Sequence, residues 1–199
     1  MTDVNEKLEE MRKRFQAMQG NLNYEHNINN LRYDRMILLD VSFSMMGEKL
    51  TAAKHCLKKY IKEGDGLIVF GASVYHVSYP KIDTIMADGN TPMLPALKLA
   101  MEFKPSKILL ITDGEANTNL EEDECPWDCK GTAEHIIDYL TGIMGVQIDT
   151  IGIGDNSDLP FLETVSEMTN GKFQYVEDVK DLEDSIKLLM APEETAIAL

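Results

Sequence analysis

Three separated places in this chain set oxygen side chains just beyond, or in a loop between, short apolar runs. Asp40-Val41-Ser42-Phe43-Ser44 follows Met36 to Leu39, Thr91 stands in the loop Asp88-Gly89-Asn90-Thr91-Pro92, and Asp113-Gly114 follows Lys107 to Thr112. On an extended chain every second side chain faces the same way, so Asp40, Ser42 and Ser44 are expected to address one point. Two carboxylates and three hydroxyls are all hard donors. They suit an ion with octahedral oxygen coordination that keeps some water, magnesium first, with manganese or calcium as alternatives, and they offer nothing to a soft metal. Hydroxyls and water neutralise little charge, so an ion held this way attracts a further carboxylate from outside. The expected device is a socket for an Asp or Glu of a protein partner, with Phe43, Met45, Asn90, Gly114 and Glu115 as its rim.

Each residue also has an ordinary explanation. Thr91-Pro92 is a good helix start, Asp113-Gly114 a routine strand-ending turn, and Ser42 or Ser44 could cap a helix opening near Gly47. Five oxygens converging on one edge of one sheet favour the ion over five coincidences. Other clusters carry less. Cys125 and Cys129 with His135 fall short of four zinc ligands and of the closer Cys-x-x-Cys spacing, so a loop packed around Trp127 is the preferred reading and Cys56 is assigned to a core. Gly152-x-Gly154 lacks the third glycine of a dinucleotide fingerprint, and no Gly-x-x-x-x-Gly-Lys loop occurs.

The elements that must position these residues follow from periodicity. Apolar runs predict strands at 35–41, 66–70, 74–78, 107–112, 146–152 and 172–176, and longer amphipathic stretches predict helices near 47–62, 92–102, 131–143, 158–169 and 179–190. The pattern is that of an α/β fold, a doubly wound, mostly parallel six-stranded sheet with helices on both faces. Only Gly71, Ala72 and Ser73 separate the second and third strands, too few for a crossover, so one edge strand is expected to be antiparallel. In such a sheet ligands bind beyond the carboxyl ends of the strands, where these oxygens fall. Ahead of the sheet, Val4, Leu8, Met11, Phe15 and Met18 form an apolar stripe that predicts a helix over 3–19, followed by a connector with five asparagines between Gly20 and Tyr33. The expected organisation is helix and connector over 1–32, the α/β domain over 33–190 and a frayed tail over 191–199.

Charge narrows the partners. The 199 residues carry 19 Lys and Arg against 34 Asp and Glu, a formal charge of -15, which repels phosphate backbones and anionic lipid, so nucleic acid and membranes are not expected partners. No apolar run approaches the roughly 18 residues of a membrane helix. The absence of a basic-then-apolar leader and the sparse three cysteines agree with a cytoplasmic setting.

Asp40-x-Ser42-x-Ser44, the loop Thr91 and Asp113-Gly114, in this order, resemble the metal-ion-dependent adhesion site of von Willebrand factor type A domains, over about residues 33–190. The resemblance implies that Ser42, Ser44 and Thr91 are direct or near-direct ligands, and that Asp40 and Asp113 bind directly or through water according to conformational state. It also implies a protein-binding rather than catalytic role, and assembly subunits among intracellular relatives, some with AAA+ ATPases; nucleotide hydrolysis would then belong to the partner. Phe43 and Asn90 depart from the small residue and the glycine common in the family. The rival reading is a metal-dependent phosphoryl-transfer or hydrolytic enzyme, against which stands the expectation that no lysine or histidine lies where it would neutralise charge or act as a base. A third reading is a scaffold that keeps the fold without using an ion.

Overall fold

A computed structural model of the chain describes residues 32–116, 132–143 and 145–191. The helix expected over 3–19, its connector, the segment with Cys125, Trp127 and Cys129, and the tail beyond Ala191 lie outside the described residues. The strands are β1 (Arg35–Asp40), β2 (Asp65–Phe70), β3 (Val74–Val77), β4 (Lys107–Thr112), β5 (Gln147–Ile153) and β6 (Phe173–Val176). They form one sheet in the order β3-β2-β1-β4-β5-β6. All neighbours are parallel except β2 and β3, whose three-residue connection permits only a hairpin. The expected antiparallel edge is therefore β3.

The near-continuous apolar character of β1, β2, β4 and β5 matches their burial, because helices cover both faces. α1 (Glu48–Tyr60) buries Leu50, Ala53, Cys56 and Leu57 at helical spacing. With the last described helix it covers the face formed by Ile37, Leu39, Leu67, Val69, Leu109, Ile111, Ile151 and Ile153. α2 (Met93–Glu102) packs on β1, β2 and β3, α3 (Ala133–Thr141) lies beside it, and α4 (Leu159–Met168) covers β5 and β6. The final helix predicted over 179–190 is divided: residues Val179–Asp181 wind as a 3-10 turn, anchored where the Asp178 carboxylate accepts from Lys180 N, and α5 (Leu182–Met190) follows.

This order places the switch point of the sheet at β1 and β4. From β1 the chain builds outward through β2 and β3, then returns to lay β4 on the other side of β1. The two connections leave in opposite directions and open a crevice beyond the carboxyl ends of these two strands. Asp40 is the last residue of β1 and Asp113 the first after β4. Among the described residues no helix is long and apolar enough to cross a membrane.

Candidate metal centre

The segment after β1 does not stay extended as its alternation suggested. Ser42 has φ -56° and ψ 164°, and Phe43–Met45 then wind as a 3-10 turn. The turn still brings the hydroxyls together, with Ser42 Oγ and Ser44 Oγ 3.0 Å apart. It also reverses one expectation: Met45 points inward and is fully buried, whereas Phe43 and Met46 are each 61% exposed. Met45 is core rather than rim, because a 3-10 turn repeats every three residues and turns its apolar third residue under the sheet edge. Phe43, Asn90 and Glu115 are exposed and Gly114 is partly so, as a rim requires.

Ser44 Oγ donates to Asp113 Oδ1 at 2.7 Å. Gly114 brings in the remaining hydroxyl: a methyl group on its Cα would stand 3.7 Å from Thr91 Oγ1 and 3.9 Å from Ser44 Oγ. The structure thus brings Asp40, Ser42, Ser44, Thr91 and Asp113 to one crevice. Their ordinary roles are not taken up as helix caps. Pro92, not Thr91, is the cap position of α2, Gly47 that of α1, and neither helix nor the 3-10 turn has a side-chain cap.

The loop that carries Thr91 is fastened by backbone and by one glycine. Asp88 N donates to Val41 O at 2.7 Å, Phe43 N donates to Gly89 O at 3.1 Å, and the Asp88 carboxylate accepts from Ala72 N at 3.1 Å. Gly89 has φ +65°, and a Cβ there would meet Ala72 N at 2.2 Å. Gly89→Ala is expected to cost about 2 kcal/mol through left-handed strain and backbone crowding. It should also shift Thr91 and weaken cation binding although every oxygen donor remains; thermal melts and calorimetric cation titration check both.

Asp40 and Asp113 are completely buried. Asp40 Oδ1 accepts from Ser42 N at 2.8 Å, and Oδ2 accepts from Thr112 Oγ1 at 2.5 Å. Burial pushes its carboxyl from the ordinary 3.8 up to about 6; those hydrogen bonds pull it back only in part, and the Asp113 charge adds to the rise. A site that raises the cost of its own carboxylate charge is one that an added cation relieves. Among the described residues no group of three or more His, Cys, Asp or Glu converges, so a cation held here would depend on the hydroxyls. The donor set therefore fits a hard dication.

Two residues escaped the sequence reading. Thr112 fixes the Asp40 rotamer and also accepts from Gly114 N at 3.2 Å, tying the two strand ends together. Lys49, in the first turn of α1, lays its Nζ 2.5 Å from Asp113 Oδ2, with side-chain exposures of 26% and 0%. A lysine does neutralise charge at this edge, contrary to expectation; it arrives from a helix start rather than from a strand end. The one available signal was the closeness of Gly47-Glu48-Lys49 to Ser44 in the chain. His135 meets Thr132 Oγ1 through Nδ1 at 2.8 Å, and His76 stacks with Tyr33 and Phe103, so both have structural partners. Cys56 is buried as expected.

A family model described as the von Willebrand factor type A domain matches residues 35–80 and 79–175. Curated protein sequences give no match. Among solved structures, a von Willebrand factor type A protein from Catenulispora acidiphila superposes with TM-score 0.63 at 19% identity, covering 81% of this chain and 42% of that one. The ArnB paralog VWA2 from Sulfolobus acidocaldarius gives 0.60 at 17% identity, over 79% and 45%. Proximal thread matrix protein 1 from the mussel byssus, in a form with a zinc-occupied MIDAS motif, gives 0.59 at 18% identity, over 80% and 47%. This chain spans less than half the length of each, and at such identities the likeness is one of fold. With more than half of its residues matched by the family model, the chain belongs to the von Willebrand factor type A domain family.

Proposed function

We propose that this domain is a divalent-cation-dependent protein-binding module. Asp40, Ser42, Ser44, Thr91 and Asp113 hold the cation, magnesium by the hardness of the donors, and a partner contributes an Asp or Glu. The observation that carries this reading is the convergence of Ser42 and Ser44 hydroxyls, the Asp113 carboxylate and Thr91 around Gly114 at the switch point of the sheet. When bound, the ion supplies positive charge and a coordination position for that acidic group. The chain's own residues do the rest. Thr112 and the Ser42 amide hold Asp40, Gly89 holds the Thr91 loop, and exposed Phe43 and Met46 offer apolar contact to residues flanking the partner's acid. The zinc in the mussel byssus protein's motif supports metal binding in this fold in general terms. The preferred setting is a subunit of an intracellular assembly, which rests on the family resemblance, in a cytoplasmic location, for which the sparse cysteines speak.

Magnesium or manganese at 100 times its dissociation constant should stabilise the protein by about 2.7 kcal/mol. Ser42→Ala and Thr91→Ala are expected to lose that thermal shift while melting near wild type in chelator, and capture of a partner should be lost in chelator and in both variants. No calorimetric response to millimolar magnesium or manganese would overturn the reading. Hydrolysis of a generic phosphoester, abolished by Asp113→Ala, would replace it with the enzymatic one.

A further inference from the structure

The ion pair between Lys49 and Asp113 bears on how tightly the site takes a cation. Asp113 has both oxygens engaged, Oδ1 by the Ser44 hydroxyl and Oδ2 by the Lys49 ammonium. The ammonium is not a loose surface charge. Its stem runs over Gly154 at the end of β5, where a Cβ would stand 3.8 Å from Nζ and 3.9 Å from Cε, and three quarters of the side chain is covered. Gly154 has φ +75° and no side chain to obstruct it. The protein thus carries one unit of positive charge within its own oxygen cluster, delivered from a helix 64 residues away in sequence.

Resting on the cation-binding reading above, we infer that Lys49 is an internal counter-cation that competes with the metal for Asp113 and so sets the cation concentration at which the module becomes binding-competent. Two effects act in the same direction. Lys49 would have to give up Asp113 Oδ2 for that oxygen to serve a dication, and if it stayed in place its ammonium would repel any dication held by the other oxygen of the same buried carboxylate. The lysine in return keeps the buried Asp113 compensated while the cation is being exchanged. Lys49 sets affinity rather than acting as a ligand: it raises the divalent concentration needed to fill the site and leaves occupancy responsive to changes in that concentration.

The test is isothermal titration of manganese and magnesium into wild type, Lys49→Met and Lys49→Arg. Lys49→Met is expected to bind each ion at least tenfold more tightly, to melt lower than wild type in chelator, and to regain more on adding metal; Lys49→Arg, which keeps the charge, should stay near wild type. Equal or weaker binding by Lys49→Met, with wild type binding normally, overturns the competition and leaves the metal site standing. Absence of binding in both proteins overturns the metal site itself, and binding only by Lys49→Met supports the competition in its strongest form. An independent readout on the unaltered chain is nitrogen-15 NMR of lysine side chains, with the Lys49 signal identified by its loss in Lys49→Arg. Saturating magnesium should move that ammonium signal towards those of solvent-exposed lysines; an unmoved signal refutes displacement whether or not the variants fold.

Discussion

Asp40→Asn is expected to make the protein more stable in chelator at pH 7.5 while abolishing its response to magnesium. The Asp40 carboxyl is buried and is pushed from 3.8 up to about 6, so holding it ionised in the fold costs about 3 kcal/mol at 1.36 kcal/mol per unit. The fold binds this proton more tightly than the unfolded chain does. Asp40's contribution to stability is therefore fully present below about pH 3.8 and is lost as the pH rises through about 6. The amide has no such loss. Its hydrogen bonds can also be met: the amide oxygen accepts from Ser42 N, and Thr112 Oγ1 takes the amide N–H while turning its own proton to Gly114 O, now 3.4 Å away. Melting curves in chelator should show the variant several degrees above wild type at pH 7.5 and level with it near pH 4. A variant equally destabilised at both pH values would show that Asp40 serves packing rather than holding charge against its cost for a cation.

Lys107→Met is expected to have the opposite profile, a large loss of stability with cation binding intact. Asp149 in β5 is completely buried; it pairs with Lys107 Nζ at 2.8 Å and accepts from Lys172 N at 2.9 Å and Gln147 Nε2 at 3.1 Å. The Lys172 contact sets the start of β6, whose partner bond from Thr150 N to Lys172 O lies beside it. Removing the lysine strands a buried carboxylate, at a cost of about 3 to 5 kcal/mol. The melting temperature should fall by at least about 6 °C, at roughly 2 °C per kcal/mol for a domain of this size. Lys107 opens β4 and Asp113 follows its end, about 20 Å apart at 3.3 Å per residue. Cation affinity should thus change less than twofold, and adding Asp149→Leu should recover part of the stability. A loss below about 1 kcal/mol would mean that Asp149 finds its compensation elsewhere.

The two carboxylates make a useful contrast, since both lie in strands that read as plain apolar runs. Asp149 has a lysine across the neighbouring strand and ties β5 to β4; Asp40 has hydroxyls and an amide but, among the described residues, no cation in direct contact, and sits where strand ends diverge. Burial alone does not separate a structural acid from a functional one here. Nor does an internal counter-charge by itself, since Asp113 at the candidate site is paired with Lys49 as Asp149 is with Lys107; what sets Asp40 and Asp113 apart from Asp149 is their place at the carboxyl ends of the strands beside the Ser42, Ser44 and Thr112 hydroxyls.

How far each feature was legible follows from the range of the interactions behind it. The strands and helices rest on the spacing of apolar residues within a few turns of chain, and β4 spans Lys107–Thr112 in both sequence and structure. The three-residue link before Val74 likewise imposed the antiparallel edge, since no crossover fits in it. Asp40, Ser42, Ser44 and Asp113-Gly114 could be singled out because strand ends in such a sheet share an edge whatever the details. Local pattern did not reach the 3-10 turn that buries Met45, since the alternating oxygens fit extended chain equally well. It reached still less the meetings of Lys49 with Asp113 and Lys107 with Asp149, which the strand order and the docking of α1 on the sheet create. The amino-acid sequence by itself determined the class of fold and the kinds of atom at its rim, because both depend on short-range periodicity. Only the tertiary structure decided which buried charge has an internal partner, because that depends on distances between segments far apart along the chain.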